Sequence, residues 1–151
     1  MRGVLPEAKD PLVVHHFGLE VEGITEAMFR EASGFENSND VIEHRESGSN
    51  GKQYISKQPG NLKWGDIVLK RGITDSKALY DWRKKVVDGD IKSARKNGSI
   101  VFFDAMNTEL ARFNFVRGWP SKWKGPDVNT SNNSVAVEEV TIVHEGLERV
   151  K

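Results

Sequence analysis

The sequence predicts a mainly β fold, in the form of a small β-barrel or two packed antiparallel sheets, with one α-helix. Some seven or eight short segments show strand-like alternation of apolar and polar residues, separated by turn-forming residues. A single segment, from about Ser76 to Asp88, has helical periodicity. A length of 151 residues without internal repeats suits one domain. We therefore expect residues 1–151 to form a single domain, with residues 1–11 as an N-terminal arm.

The composition of the chain excludes several classes of protein. Without cysteine, the chain has no disulfides, thiolate zinc ligands or cysteine nucleophiles. No apolar run approaches the ~20 residues that cross a bilayer, and a net charge of zero argues against a general coat on nucleic acid or membrane. We expect a chain that is made in the cytoplasm of the producing cell and does not insert into a membrane.

Charge is distributed unevenly along the chain. Residues 1–50 hold four basic and ten acidic side chains, a net charge of −6, which the remaining residues balance with +6. Either solvated charges cluster by chance, or the two regions form complementary surfaces that meet between subunits. Complementary charge of that kind gives register and orientation.

Three strands are expected in the first third of the chain. Phe17, Leu19 and Val21 alternate with polar residues and would share one face of the first strand. Shorter strands are expected at Met28–Ala32 and Val41–Glu46.

A long polar loop is expected at Glu46–Asn61, which is rich in Gly, Ser and Asn and can bury little. Loops of this length inside a compact domain are functional or flexible. The strand that follows, Leu62–Arg71, loses its alternation at Gly65-Asp66, which predicts a bulge or bend at that point.

Both ends of the expected helix carry end signals. Asp75 is placed to cap the first free amides, and Gly89 is placed to end the helix. Leu79, Trp82 and Val86 form an apolar stripe at helical spacing, which predicts the face that the helix packs against the core.

The second half of the chain returns to strands. Its expected segments are a basic connection at Ile91–Gly98, a hairpin of Ser99–Ala105 with Glu109–Gly118, an extended corner at Gly118–Pro126 and a final strand at Val135–Glu145.

No arrangement of residues specifies a catalytic, cofactor or metal site. The sequence holds no Gly-rich phosphate loop, nucleophile elbow or kinase signature. His44 and Glu46 would share a strand face, but a metal would need a third ligand, from His144 or Glu145. We expect a non-enzymatic protein without cofactor or metal, and the metal-dependent enzyme is an alternative.

A small β-barrel that binds carbohydrate or nucleic acid is a further alternative. Trp119 and Trp123 could stack on sugars or bases, and the cations of Lys92–Lys96 could contact phosphates. A packed corner and a solvated connection are the structural explanations of the same residues.

Six short segments stand in a recognisable order along the chain. They are Val41-Ile-Glu-His-Arg-Glu-Ser-Gly48, Lys57-Gln-Pro-Gly60, Ile67-Val-Leu-Lys-Arg-Gly72, Leu79-Tyr-Asp-Trp82, Trp119-Pro-Ser-Lys-Trp123 and the closing run Asn133–Glu145. In this order and spacing the chain, from about residue 12 onward, resembles the phage tail tube family, which includes the inner-tube proteins of extracellular contractile injection systems.

The resemblance implies a structural subunit. Its copies would close into hexameric rings that stack into the inner tube of a contractile particle, a conduit for DNA or effector cargo. The implied partners are further copies of the chain, a contractile sheath protein, and baseplate, spike and tube-terminating proteins. The particle would be cytoplasmic or released from the cell, and a phage tail and a toxin injector both remain open.

The resemblance also gives the polar loop a role, as an arm that reaches the neighbouring ring. The candidate ring-stacking residues are Glu46, Ser47, Asn50, Lys52, Gln53, Tyr54 and Lys57. The closest alternative is the secreted ring protein of a related secretion system, which would share the fold and differ in its partners.

Overall fold

The computed structural model describes residues 9–127, 131 and 135–151, so most of the expected N-terminal arm lies outside the described residues. Twelve elements follow one another within these described residues. They are β1 (His16–Val21), β2 (Ile24–Phe29), β3 (Glu31–Ser33), β4 (Asn37–Ser47), β5 (Gln53–Trp64), β6 (Ile67–Gly72), α1 (Ala78–Val87), α2 (Ile91–Ala94), β7 (Lys96–Phe103), β8 (Glu109–Lys124), β9 (Val137–Val143) and β10 (Gly146–Arg149).

The strands form two packed antiparallel sheets, as expected, and one separate hairpin. Sheet A has the order β2-β1-β7-β8-β10, and sheet B has the order β8-β9-β6-β3. The described strands do not close into a barrel. The end strands of the order, β2 and β3, are joined by the chain at Arg30 and not by a ladder.

Strand β8 belongs to both sheets. Its first part pairs with β7 and β10, and its last part, Trp119–Lys124, pairs with β9. The expectation of an extended corner at Gly118–Pro126 is therefore wrong over most of that range. Pro120 is tolerated inside the strand because the β8–β9 register shifts between Pro120 and Lys122, where a bulge removes the need for a regular amide donor.

The core lies between the two sheets and under α1. Sheet A contributes Leu19, Ile100 and Phe115, and sheet B contributes residues such as Leu69 and Ile142, all fully buried. Removing each such side chain from water stabilises the fold by about 1.5–3 kcal/mol. The inward face of β1 is the predicted one, since Leu19 and Val21 are buried and Phe17 packs beside them.

Helix α1 packs on the sheets through the apolar stripe. Leu79 and Trp82 are buried, and Val86 is half-buried against the core. The helix ends where Gly89 takes a φ of 85° and donates its amide to the carbonyl of Val86.

The start of α1 differs from the expectation. Its N-cap position is Lys77, without a side-chain cap, so the prediction that Asp75 caps the helix is wrong. The hydroxyl of Ser76 accepts a bond from the Ala78 amide at 3.3 Å. A second helix, α2, occupies part of the expected basic connection, and the Asp90 side chain caps it by accepting from the Ser93 amide.

The expected polar loop at Glu46–Asn61 is a β-hairpin. Strands β4 and β5 pair from Asn37↔Trp64 to Ser47↔Gln53, and only residues 48–52 form the connecting turn. The break at Gly65-Asp66 is where the sequence places it, but it separates two strands of different sheets. Gly34 packs against this junction, where its φ is 89° and an added Cβ would overlap the Asp66 carbonyl, so the close approach requires glycine.

Candidate interaction surface

The β4–β5 hairpin has nearly all of its side chains exposed. Every residue of β4 is exposed, and β5 is exposed except at Ser56, Gly60 and Trp64. A two-stranded hairpin is marginal on its own in water. A hairpin with strands this long therefore favours a partner outside the chain.

The register divides the hairpin into two faces. Side chains of directly paired residues point to the same side, and neighbours along a strand point to opposite sides. We call "face 1" the side with Val41↔Pro59, Glu43↔Lys57, Arg45↔Ile55 and Ser47↔Gln53, and "face 2" the side with Ile42↔Gln58, His44↔Ser56 and Glu46↔Tyr54.

Face 1 carries a row of exposed apolar side chains. Val41 is 62% exposed and Ile55 is 59% exposed. Leu62, 52% exposed, lies on the same face, because its paired residue Asn39 is two positions before Val41 in β4. Strand β5 has one extra residue between Leu62 and Pro59, which forms a bulge. Pro59, which pairs with Val41, lies on the same face. Sequence reasoning missed this row because the bulge hides the alternation of β5.

The candidate ring-stacking residues are distributed over the whole hairpin end. Ser47, Gln53 and Lys57 lie on face 1, Glu46 and Tyr54 lie on face 2, and Asn50 and Lys52 lie in the turn. The Asn50 side chain accepts a bond from the Lys52 amide at 3.3 Å, which orders the turn.

The base of the hairpin is anchored to the two sheets. The amide of Gly65 donates to the carbonyl of Glu36 at 2.9 Å, and Nε2 of His144 lies 3.0 Å from the carbonyl of Gly65. The His144 ring also lies between Trp64 and Phe115, with ring centroids 5.9 and 6.4 Å away. Because a carbonyl only accepts, Nε2 carries the proton. The hairpin thus starts from a fixed point.

A buried ion cluster ties both sheets to the start of α1. Arg71 of β6 donates from Nε to Glu138 of β9 at 2.6 Å and from Nη1 to Glu26 of β2 at 2.5 Å. The other oxygens of the two carboxylates accept from Trp123 at 3.3 Å and from the Ser76 hydroxyl at 2.6 Å. The guanidinium also lies 5.1 Å from the centre of the Phe29 ring.

The cluster keeps Arg71 charged. Burial alone would lower the pKa of Arg71, but its hydrogen bonds to Glu26 and Glu138, and their charges, raise the pKa above its ordinary value. A second arginine, Arg112, bridges Glu20 at 2.7 Å and Glu109 at 2.6 Å on the more exposed face of sheet A. The hydrogen bond to Glu20 raises its pKa too, against the effect of burial.

The uneven charge along the sequence is partly used within the subunit. Four acidic residues from the first fifty pair with cations from later in the chain. The pairs are Glu20–Arg112, Glu26–Arg71, Glu31–Lys70 and Asp40–Lys63. Charge complementarity between subunits therefore has fewer free acids to draw on than the sequence suggests.

A concave apolar surface lies at the far end of β6 from the hairpin. We call it the β6-end groove. Its exposed apolar side chains are Met28, Ile73, Val135 and Val137, and its volume is about 460 Å³. Met28 takes a φ of 67°, an uncommon backbone conformation for a side chain of this type. Arg30, Lys70 and Arg71 also line the groove. The Nη2 atom of Arg71 is buried and has no hydrogen-bond partner among the described residues.

The residues weighed for metal and ligand binding have other surroundings. Within the described residues, no group of three or more His, Asp or Glu side chains is arranged to hold a metal, so His44 and Glu46 lack a third ligand there. Trp119 and Trp123 are partly buried against the core, and Trp123 packs edge-on to Tyr80 at 5.1 Å. These tryptophans act in packing and do not form an open stacking platform.

The cations Lys92 and Lys96 do meet in one concave region, together with Arg95 and Arg117. Lys96 donates to the Glu22 carbonyl at 2.8 Å, and Arg117 pairs with Glu145 at 2.6 Å. Two of the four cations are therefore already engaged within the chain.

Neither described helix is long and apolar enough to span a membrane.

Comparisons with known proteins agree with this geometry. A family model described as T4-like virus tail tube protein gp19 matches residues 13–148. No curated protein sequence gives a significant match to the chain.

Solved structures give the same picture. A chain of the PVC sheath-tube complex of an extracellular contractile injection system in the extended state is 25% identical, with a TM-score of 0.71, and the match covers 92% of this chain and 90% of that one. A chain of the PVC sheath/tube terminator is 25% identical, with a TM-score of 0.72 and coverage of 96% and 100%. Hcp1 from Flavobacterium johnsoniae shares the fold at 20% identity, with a TM-score of 0.54 and coverage of 89% and 94%.

Proposed function

The chain belongs to the T4-like virus tail tube protein family, and from this premise we propose that it is a structural subunit whose hexameric rings stack into the inner tube of a contractile injection system. The observation that carries the assembly is the β4–β5 hairpin. Its two long strands expose nearly every side chain, including the apolar row of face 1. Apolar side chains that are exposed together on one face are typical of protein–protein contact sites.

The mechanism of such a subunit is mechanical and not catalytic. Sheet edges of neighbouring copies would pair to close a ring, which also removes edges that promote aggregation. The ion cluster around Arg71 and the packed core keep each subunit in one shape, so that identical contacts repeat around the ring. We propose that the chain has no catalytic role and needs no cofactor.

The hairpin is the proposed ring-stacking element. It is anchored at its base by Gly65 and His144 and free along its length. A fixed base with exposed strands suits an arm that reaches a neighbouring subunit. The polar end of the hairpin, with Glu46, Asn50 and Lys52, would make the contacts farthest from its own subunit.

Electron microscopy of the purified protein tests the assembly. We expect negative-stain images of the wild type to show rings or tubes. A shortened variant replaces residues 44–56 with Asn-Gly. This change keeps the pairing Glu43↔Lys57 and closes the hairpin with a two-residue turn. Rings of this variant should form without stacking. Tubes of wild-type length from the shortened variant would overturn the stacking role, and a strictly monomeric wild type would overturn the tube itself.

The wider assembly follows the same proposal. The partners would be a contractile sheath around the tube, a baseplate with its spike at one end and a terminating protein at the other. The lumen would carry an effector protein or DNA. The subunit would be made in the cytoplasm of the producing cell and leave it as part of a tail or tail-like particle.

A secreted ring protein of a related secretion system is the second candidate, because Hcp1 from Flavobacterium johnsoniae has the same fold. Both systems have a contractile sheath and a spike, so co-assembly with a sheath would not separate the two candidates. The genes that neighbour the coding gene of this chain would separate them better.

A further inference from the structure

We propose that the apolar face 1 of the hairpin, and not face 2, makes the contact between copies, and that it seats in the β6-end groove of the next copy. This inference rests on the proposed stacking function and names the two surfaces that would meet. The occupant of the groove is a second copy of this chain.

The two hairpin faces differ in chemistry although they share their strands. Face 1 exposes Val41, Pro59 and Leu62 close together. Ile55 lies farther along the same face, beyond the Glu43↔Lys57 pair and opposite Arg45. Face 2 presents His44, Glu46, Ser56 and Gln58, with apolar exposure at Ile42 and Tyr54 separated by these polar side chains. Face 1 thus exposes four apolar side chains and face 2 exposes two, so burial of face 1 removes more apolar surface from water. The charged Glu43 and Lys57 of face 1 lie directly opposite each other in the register.

The same chain exposes a concave surface of matching character. Met28, Ile73, Val135 and Val137 are all exposed hydrophobics around the β6-end groove. Arg71 lines the groove as well, but its guanidinium is buried and already bonded to Glu26 and Glu138. The docking therefore rests on the exposed apolar side chains.

The placement of the two surfaces suits a repeating contact. The hairpin enters β6 near Ile67, whereas the groove lies at the other end, around Arg71–Ile73. With the hairpin at one end of β6 and the β6-end groove at the other, the contact between two copies is head-to-tail. A head-to-tail contact can repeat from copy to copy. Two copies of the same surface would instead pair once and stop.

The charges around the contact are compatible with this docking. The groove carries Arg30, Lys70 and Glu31 at its rim, and Lys70 lies 3.7 Å from Glu31. Face 1 carries Glu43 beside Lys57 in the register. Each of the two surfaces therefore carries both acidic and basic side chains, so a docking without like charges opposite one another is available. Ion pairs across such a contact set its register more than its affinity.

Two adjacent residues give a matched test of the face. Val41 and Ile42 are both β-branched and exposed, yet they point to opposite sides of the hairpin. Val41→Asn should abolish tubes and leave rings, and Ile42→Asn should leave tubes at wild-type length. Equal behaviour of the two variants, in either direction, would overturn the assignment of the face. A wild type that forms no rings would instead defeat the proposed function, so the two failures remain distinguishable.

Engineered cysteines test the groove, because the chain has none of its own. A tagged Ile55→Cys chain is mixed with an untagged Ile73→Cys chain, assembled and oxidised. The expected result is a mixed disulfide dimer of intermediate size on a non-reducing gel. Tyr54→Cys, from face 2, is the matched partner and should give little of this product. If Tyr54→Cys crosslinks to Ile73→Cys as well as Ile55→Cys does, or if neither does so in assembled tubes, the seating in the groove is wrong.

Discussion

The indole Nε1 of Trp82 donates a hydrogen bond of 2.7 Å to the backbone carbonyl of Ala94, and both groups are buried. The bond joins α1 to the end of α2 and holds the helices on the sheets. In a Trp82→Phe variant the carbonyl of Ala94 would lose this partner inside the core. Leaving a buried acceptor unsatisfied costs about 1–3 kcal/mol, so we expect the free energy of unfolding to fall by that amount.

Chemical denaturation followed by far-UV circular dichroism measures this loss. Tyr80→Phe, on the more exposed side of α1, is the control and should change stability by about 0.5 kcal/mol or less. A Trp82→Phe protein as stable as the wild type would mean that the bond between the helices contributes nothing.

Arg71 and Arg112 each bridge two carboxylates, but only Arg71 is fully buried. Arg71→Met leaves Glu26 and Glu138 buried without their cation, and breaking a buried pair in this way costs about 3–5 kcal/mol. Arg112→Met should cost about 1 kcal/mol or less, because water screens the exposed pairs. Urea denaturation of the two variants measures the loss of unfolding free energy, and the midpoints are comparable if the m-values agree. Similar losses for both variants would show that burial does not determine the contribution of these ion pairs.

The stabilising effect of Arg71 should also be insensitive to alkaline pH. Burial alone would lower the pKa of Arg71, but the hydrogen bonds to Glu26 and Glu138 raise it above its ordinary value. A raised pKa contributes stability that is fully present below the unfolded pKa and is lost only as pH rises through the folded pKa. The stability difference between the wild type and Arg71→Met should therefore not shrink between about pH 7 and about pH 9. A difference that shrinks by half over this interval would contradict the assignment.

Glycine at position 98 is required by the packing of the core. An added Cβ would lie 2.7 Å from the Phe115 ring, 2.7 Å from Val21 and 2.8 Å from the Glu20 carbonyl. Overpacking of this kind costs about 1–3 kcal/mol, so Gly98→Ala should lower the thermal midpoint of unfolding. Gly72→Ala is the matched control, since its Cβ would meet Val135 at an ordinary 3.5 Å. Equal midpoints for the two variants would refute the packing argument.

Much of the architecture could be predicted because it depends on local signals. The alternation of Phe17, Leu19 and Val21 identifies the inward face of β1, and the spacing of Leu79 and Trp82 identifies the buried face of α1. These patterns report burial directly, since the period of the element and the period of the apolar residues coincide. The resemblance to the phage tail tube family, read from short segments in order, is confirmed by the family model.

Only part of the hairpin could be predicted, since the expected strand Val41–Glu46 lies within β4, whereas most of β5 lies in the segment expected to be a loop. Neither face is buried in the subunit, so the strands lack the alternation that identifies a half-buried strand, and Gly60 with Asn61 forms a bulge that shifts the parity. The polar composition of the segment then resembles a loop. The apolar face 1 becomes visible only when the register pairs Val41 with Pro59 and Asn39 with Leu62.

The passage of β8 through both sheets was also hidden in the sequence. Pro120 and the neighbouring tryptophans suggest a corner, because proline is rare inside strands. The strand tolerates it at a register shift, and Arg117 takes a φ of 51° just before the part that joins sheet B. Tertiary pairing therefore overrides the local preference at this point.

The continuity of β8 has a consequence for how a tube would respond to force. One covalent strand crosses from sheet A to sheet B, so the two layers cannot slide past each other without breaking ladders on both sides. Each subunit would therefore deform little under an axial or torsional load. In a tube of such subunits, elastic deformation would be confined to the contacts between subunits. The length of the tube would then depend on the number of stacked rings and not on the stretching of any subunit.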